Sequence, residues 1–186
     1  MRASVPVLVL ALLGACKSPG TGPYGSPPAA KRQTAEAERL TQEAAAIVDA
    51  DPESAQKLLR EALGHDLFFG PAHNNLGVVH LKRGALYEAA GEFEWARKLM
   101  PGHPDPRVNL ALTLERAGRS GEAIATYSAA LEVYPDYLPA IQGLASVTLR
   151  SGLDDERMQS WLEAIAMRCK DAKWREWAAR HLASRR

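Results

Sequence analysis

The sequence has few of the residues on which disulfide-rich folds and most metal sites depend. It contains two cysteines and five histidines. Cys16 follows the apolar run near the amino terminus, and Cys169 is the one cysteine in the rest of the chain. The histidines form neither an HExxH motif nor a Cys/His pair at zinc-ligand spacing. We therefore expect neither a disulfide framework nor a metal site.

An excess of charge of one sign is also missing. The formal net charge is +1, so no strong field over the chain favours a nucleic-acid partner. A glycine-rich phosphate loop before a helix and a G-x-S-x-G elbow are both absent from the sequence. These absences predict a protein that is not an enzyme and has no cofactor and no small-molecule substrate.

The apolar run near the amino terminus, residues 5–13, is too short to span a bilayer and is typical of a signal-peptide core. It follows Arg2 and ends in the sequence LGAC at residues 13–16, which resembles the bacterial lipobox. The resemblance implies that a signal peptide of residues 1–15 is cleaved before Cys16 and that Cys16 is lipidated. The alternative is an ordinary cleaved signal followed by an incidental cysteine.

Residues 16–34 are rich in proline, glycine and serine, with hardly any apolar residue to bury. We expect a disordered or partly extended tether that acts as a plain spacer. More than one acyl chain on Cys16 would make membrane attachment stable. Lys17 follows in place of the aspartate associated with inner-membrane retention in enteric bacteria. The expected location is therefore the cell envelope, at the outer membrane and facing the periplasm.

What the sequence does contain is an internal repeat of 34 residues that covers residues 70–137. The coinciding residues are Leu76 with Leu110, Gly84 with Gly118, Ala89 with Ala123, Phe93 with Tyr127, Ala96 with Ala130 and Pro101 with Pro135. This pattern resembles the tetratricopeptide repeat (TPR) family, a helix–turn–helix unit patterned W-x₂-L-G-x₂-Y, A-x₃-F and P. The two glycines are expected to end the first helix of each unit with a left-handed backbone.

The same register extends on both sides of these two repeats. The resulting division is a degenerate TPR-like helix pair at 35–69, TPR units at 70–103 and 104–137, an irregular TPR at 138–171 and a capping helix at 172–186. In the irregular unit, Arg157 replaces a small residue and is expected either to loosen the helices or to point to solvent. We predict an all-α TPR solenoid of about three and a half repeats plus a C-terminal capping helix.

The resemblance implies that the first helix of each unit lines a concave face that binds a peptide or protein. Asn75 and Asn109 lie one period apart, at a place where asparagine commonly faces this groove in the family. A basic stripe at the same spacing would favour an acidic partner; it consists of Lys82, Arg116 and Arg150. Alternatively, asparagine is common there whatever the function, and these cations favour the helix dipole. The groove that clamps chaperone tails in some TPR proteins is not expected, because Asn109 alone fits it.

For two histidines and one cysteine, a structural role is the alternative to a functional role. His73 and His80 lie two turns apart in positions that the family fills with aromatic rings, so we expect helix packing rather than metal binding. Cys169 is expected to be a buried residue rather than a reactive thiol. The expected function is that of an adaptor or assembly factor in the bacterial envelope, with a pilotin-like role as one example. The alternatives are a permanent structural subunit, or a soluble TPR adaptor if Cys16 is not lipidated.

Overall fold

The computed structural model describes residues 33–185. The regular structure in this range consists of nine α-helices, which confirms the all-α prediction. They are α1 Thr34–Ile47, α2 Pro52–His65, α3 Gly70–Lys82, α4 Leu86–Leu99, α5 Asp105–Arg116, α6 Ser120–Val133, α7 Leu138–Arg150, α8 Met158–Arg168 and α9 Ala172–Ala183. None of these helices has the length and apolar character needed to cross a membrane. The predicted signal peptide, the lipidation site Cys16 and the tether as far as residue 32 lie outside the described residues.

Eight of the helices form four consecutive pairs, and α9 packs against α8. Neighbouring first helices also touch one another, since α3 contacts both α1 and α5, and α5 contacts α7. In the described range, the second helices α2, α4, α6 and α8 make no such contacts with each other. The array is therefore narrower on the side of the first helices, which makes that side the concave face.

Glycine ends the first helix of three pairs, as predicted for the first two of these residues. Gly84, Gly118 and Gly152 have φ angles of 75°, 76° and 66°, a left-handed backbone that glycine adopts without steric cost. In each case the next amide donates to a carbonyl five residues earlier, for example from Ala85 N to His80 O at 3.0 Å. This hydrogen bond is typical of a Schellman motif. It fixes the sharp turn that brings the second helix back along the first.

Two close ring-to-glycine contacts hold the helices together. A Cβ atom added to Gly77 would lie 2.6 Å from Phe93 Cε1, and one added to Gly143 would lie 2.3 Å from Tyr127 Cζ. Both rings are buried. The Tyr127 contact joins α6 to α7, which belong to different pairs. Gly143 therefore occupies the position of Asn75 and Asn109 because a side chain there would collide with the Tyr127 ring.

The irregular pair differs from the others at the start of its second helix. Helix α8 has 11 residues, against 14 in α4 and α6, and Arg157 lies at its N-cap rather than inside it. The exposed guanidinium pairs with Asp155 at 2.8 Å and lies 4.8 Å from the centre of the Trp161 ring. The arginine thus points to solvent, the second of the two expected outcomes.

Candidate partner-binding groove

Three asparagine side chains form a hydrogen-bonded chain across α3 and α5. Asn109 Nδ2 donates to Asn74 Oδ1 at 3.0 Å, and Asn74 Nδ2 donates to Asn75 Oδ1 at 3.3 Å. The three residues are half-buried. Within the described range, Asn75 Nδ2 and Asn109 Oδ1 have no hydrogen-bond partner. The three linked asparagines therefore offer a donor group at one end, Asn75 Nδ2, and an acceptor at the other, Asn109 Oδ1. A peptide backbone has the complementary groups.

Asn74 is a residue of this site that the repeat pattern did not indicate. Its counterpart one period later is Val108, so sliding the sequence by 34 residues gives no signal there. The available signal was the pair of adjacent asparagines at 74 and 75. Adjacent helix positions point about 100° apart, since a turn has 3.6 residues, and this lets Asn74 face α5 while Asn75 lies toward α1.

Asn75 also lies at the edge of a small apolar cleft where α1, α2 and α3 meet. The cleft has a volume of about 70 Å³, and its other lining residues are Ala44, Ala45, Val48, Leu59 and Val78. At about 30 Å³ per liquid water, this space holds roughly two water molecules or one small apolar side chain. A polar amide beside an apolar cleft suits a segment that presents both a backbone and a side chain.

The three predicted stripe residues each reach back to the preceding helix pair. Lys82 pairs with Asp49, Arg116 Nη1 donates to Leu81 O at 3.3 Å, and Arg150 pairs with Glu115 at 2.6 Å. Arg116 is the one member of the stripe without a carboxylate partner in residues 33–185. These contacts join neighbouring pairs, so much of the charge of the stripe is compensated within the chain.

A second, larger cleft, the outer cleft, opens between the second helices α4 and α6, with residues of α3 and α5 among its lining. Its volume is about 810 Å³, and its lining residues come from α2 to α6. Tyr87 and Trp95 lie at this cleft with exposed fractions of 91% and 50%. Its charged residues include the ion pairs Arg97–Glu94 and Arg119–Glu122, both at 2.6 Å. Sequence reasoning did not find this surface, because it placed binding on the first helices.

His73 is buried between α3 and α4 with both ring nitrogens engaged. Nδ1 lies 2.7 Å from Glu92 Oε2 and Nε2 lies 2.9 Å from Leu67 O, and both of these oxygens are acceptors. Both nitrogens donate only when the imidazole is protonated. Burial alone would lower the pKa of His73, but the hydrogen bonds to Glu92 and Leu67 outweigh it, so the pKa is raised above its ordinary value.

The raised pKa of His73 predicts that the chain loses stability as the pH rises. The folded chain holds this proton more tightly than the unfolded chain, so the contribution is complete below the ordinary histidine pKa of about 6.5. It is lost as the pH rises through the higher pKa of folded His73. Urea unfolding across this pH range should show the loss in the natural chain and in a His103→Gln control, whose histidine is exposed. If the free energy of unfolding of His73→Gln falls with rising pH as steeply as that of the natural chain, the assignment of this proton to His73 is wrong.

His73 and Cys169 are buried, as expected, whereas His80 is half-buried and lines the outer cleft. The His73 ring stacks on Trp95 with a centroid distance of 5.9 Å, and Cys169 is buried with its Sγ atom 3.1 Å from Gln142 Nε2. In the part of the chain that the structure describes, no cluster of three or more histidine, cysteine, aspartate or glutamate side chains could hold a metal ion.

Comparison with known proteins agrees with the repeat pattern. Residues 80–147 match the family model described as Tetratricopeptide repeat. A search among curated proteins found no match to this chain. The solved structures that resemble it share little sequence, so they bear on the fold alone.

Three of these structures illustrate the similarity. The first TPR of Spaghetti (RPAP3), bound to the HSP90 peptide SRMEEVD, has a TM-score of 0.61 at 13% identity over 65% of this chain and 97% of that chain. MamA has a TM-score of 0.60 at 18% identity over 80% and 81% of the two chains. An O-GlcNAc transferase mutant of Thermobaculum terrenum has a TM-score of 0.59 at 23% identity over 81% of this chain but 26% of the enzyme. The chain is therefore a TPR solenoid in fold, with the family model matching residues 80–147.

Proposed function

We propose that this protein is a lipid-anchored adaptor of the bacterial cell envelope that binds an extended segment of another protein in its concave groove. The observation that carries the proposal is the chain of three asparagines, Asn109, Asn74 and Asn75, on the first helices. Solenoid proteins use extended concave surfaces of this kind for binding. The role is that of a scaffold, without catalysis.

The geometry favours recognition of a backbone more than of a particular sequence. The free donor of Asn75 and the free acceptor of Asn109 suit a peptide carbonyl and a peptide amide of the same segment. The cleft beside Asn75 would hold one small apolar side chain of that segment. Because Lys82 and Arg150 are paired within the chain, an acidic partner would depend mainly on Arg116.

We do not propose for this chain the kind of ligand that is bound in the Spaghetti structure. That TPR holds the HSP90 peptide SRMEEVD. Of the positions expected for a chaperone-tail clamp, Asn109 matches here, whereas Val78, Pro139 and Gly143 do not. Gly143 in addition lies under the Tyr127 ring, where no polar side chain would fit. We therefore propose that the ligand is an internal extended segment rather than a free carboxyl terminus.

The proposed anchor rests on the LGAC sequence at residues 13–16. Labelling of growing cells with a fatty-acid analogue should mark the natural chain, and the label should be absent from Cys16→Ser. The unlabelled variant should also leave the membrane fraction. A Cys169→Ser control should keep both label and location, because the Cys169 thiol is buried. Equal labelling of the Cys16→Ser chain would refute the lipoprotein assignment.

The groove is tested by crosslinking and capture from native membranes. Losing one hydrogen bond costs about 0.5–1.5 kcal/mol, and the Asn75→Ala/Asn109→Ala chain loses two, so it should bind its partner about tenfold to a hundredfold less well. Gln159→Ala is the matched control, because it removes an exposed amide from α8 on another part of the array. Capture that is equal in the double variant and the control would show that the groove is not the binding surface.

A pilotin-like role in pilus or secretion assembly is one specific form of the adaptor function. The second candidate function is that of a permanent structural subunit of an envelope complex. The observation that favours the second is the outer cleft, where Tyr87 is 91% exposed and Trp95 50%. Exposed aromatic residues are typical of protein interfaces. Under this alternative, Tyr87→Ser/Trp95→Ser would abolish co-purification with the complex, while the asparagine variant would keep it.

A further inference from the structure

The last helix, α9, presents two tryptophans that the fold covers incompletely. Helix α9 contacts α8 and no other helix of the described range, and Ala178 is its one fully buried residue. The rings of Trp174 and Trp177 meet edge to face with centroids 5.2 Å apart, and both are half-buried. Helices α7 and α8 at the same end each contact at least two other helices, whereas α9 contacts one. This leaves one face of α9 uncovered.

Two cations flank the tryptophans. Lys173 and Arg180 are these cations, and with Trp174, Trp177 and Asp171 they line a shallow depression of about 330 Å³. The Asp171 carboxylate is engaged, because it caps the helix by accepting from Lys173 N at 2.8 Å. Lys173 and Arg180 form no ion pair within residues 33–185.

The other arginines near this end are already engaged. Arg168 contacts Asp136 at 3.4 Å, Arg185 contacts Asp154 at 3.0 Å, and Arg175 donates to the carbonyls of Cys169 and Lys170. The acid within α9 is Glu176, which is exposed and lies four residues before Arg180 but pairs with no cation in the described range. The positive charge beside the tryptophans is therefore available to an anionic partner.

The shape of the depression decides between kinds of anionic partner. All five lining residues lie within ten consecutive positions of one helix and its cap, so no second element supplies a facing wall. A bound peptide would have contacts on one side alone, whereas a bilayer is a flat surface that needs no facing wall. Tryptophan prefers the interface between lipid and water, and lysine and arginine bind anionic headgroups beside it.

We propose that this face of α9 binds the surface of an anionic lipid bilayer. The exposed edges of the tryptophan rings enter the headgroup region while their other sides stay packed on the core, and Lys173 and Arg180 contact lipid phosphates. The inference goes beyond the adaptor function and does not require the lipid on Cys16. A second attachment of this kind would add to any lipid anchor and hold the array at two points.

Tryptophan fluorescence tests the proposal in the full-length Cys16→Ser chain, which cannot be lipidated. The tryptophans are Trp95, Trp161, Trp174 and Trp177, so none belongs to the amino-terminal apolar run. Vesicles of phosphatidylcholine and phosphatidylglycerol that contain brominated lipid should quench the fluorescence. The quenching should disappear in Trp174→Phe/Trp177→Phe and persist in Trp95→Phe.

The electrostatic part is tested with a matched pair of variants. Each cation near an anionic surface contributes about fivefold to binding, so Lys173→Gln/Arg180→Gln should raise the lipid concentration for half-maximal quenching by up to roughly thirtyfold. Lys57→Gln/Arg60→Gln removes the same charges from α2 and should have no effect. Circular dichroism of each variant checks that the helices remain folded.

Three results would overturn the proposal. The first is equal quenching by vesicles of pure phosphatidylcholine, and the second is a vesicle-bound chain whose tryptophans are not quenched. The third is a fluorescence change with a polyglutamate peptide but not with vesicles, which would assign the face to an acidic protein segment. Failure of the groove proposal would be seen separately, because the asparagine variant should leave the quenching unchanged.

Discussion

Replacing Phe93 by alanine is expected to lower the free energy of unfolding by about 3–5 kcal/mol, the usual cost of removing a buried aromatic ring. The ring is fully buried, meets Gly77 of α3 and belongs to the same buried cluster as Leu110 and Ala111 of α5. It therefore lies in a core that the second and third helix pairs share.

Thermal unfolding measures this effect directly. For a domain of this size, a change of 1 kcal/mol shifts the midpoint by about 2–4 °C, so Phe93→Ala should lower it by about 6–20 °C. Tyr87→Ala is the matched control on the same helix, because its ring is 91% exposed and should change the midpoint little. A loss below about 1 kcal/mol in Phe93→Ala would mean that this ring does not hold the pairs together.

Replacing Gly143 by alanine is expected to destabilise the chain by about 1–3 kcal/mol, even though alanine favours a helix more than glycine by about 1 kcal/mol. The added Cβ would lie 2.3 Å from Tyr127 Cζ and 2.4 Å from Cε1, which the buried ring cannot relieve by a small shift. The overpacking therefore outweighs the gain in helix propensity.

A double-mutant cycle separates the two effects. In a Tyr127→Ala background the ring is absent, so Gly143→Ala should become neutral or stabilising. Gly91→Ala is the matched control, because a Cβ at this exposed glycine of α4 meets nothing within 4 Å and should stabilise the helix. If Gly143→Ala destabilises equally with and without the Tyr127 ring, the contact between α6 and α7 is not as described.

The repeat spacing predicted most of the fold because the constraints that it reports are local. Gly84 and Gly118 fix the turns, and small residues such as Ala89 and Ala123 are fully buried between the helices. The shorter α8 could not be predicted in the same way. Helix α8 starts after Arg157, whose long side chain pairs with Asp155 and lies in solvent. This contact depends on side-chain packing, which the repeat spacing does not predict.

The candidate site was predicted in part. The positions of Asn75 and Asn109 on the first helices follow from the period, but their link through Asn74 depends on how α3 and α5 face each other. The contacts of Lys82 and Arg150 with acids of the preceding pair also depend on this packing. Such contacts are set by side-chain reach across helices rather than by spacing along one helix.

Photo-crosslinking from defined positions tests most directly the central claim, that the first-helix side of the array is the binding surface. A benzophenone side chain at Ala45, an exposed residue that lines the cleft beside Asn75, should crosslink the partner in native membranes. The same side chain at Tyr87, on the outer side, should not. Adding Asn75→Ala/Asn109→Ala should remove the Ala45 crosslink. A partner crosslinked from Tyr87 and not from Ala45 would contradict the account and place the binding surface on the second helices.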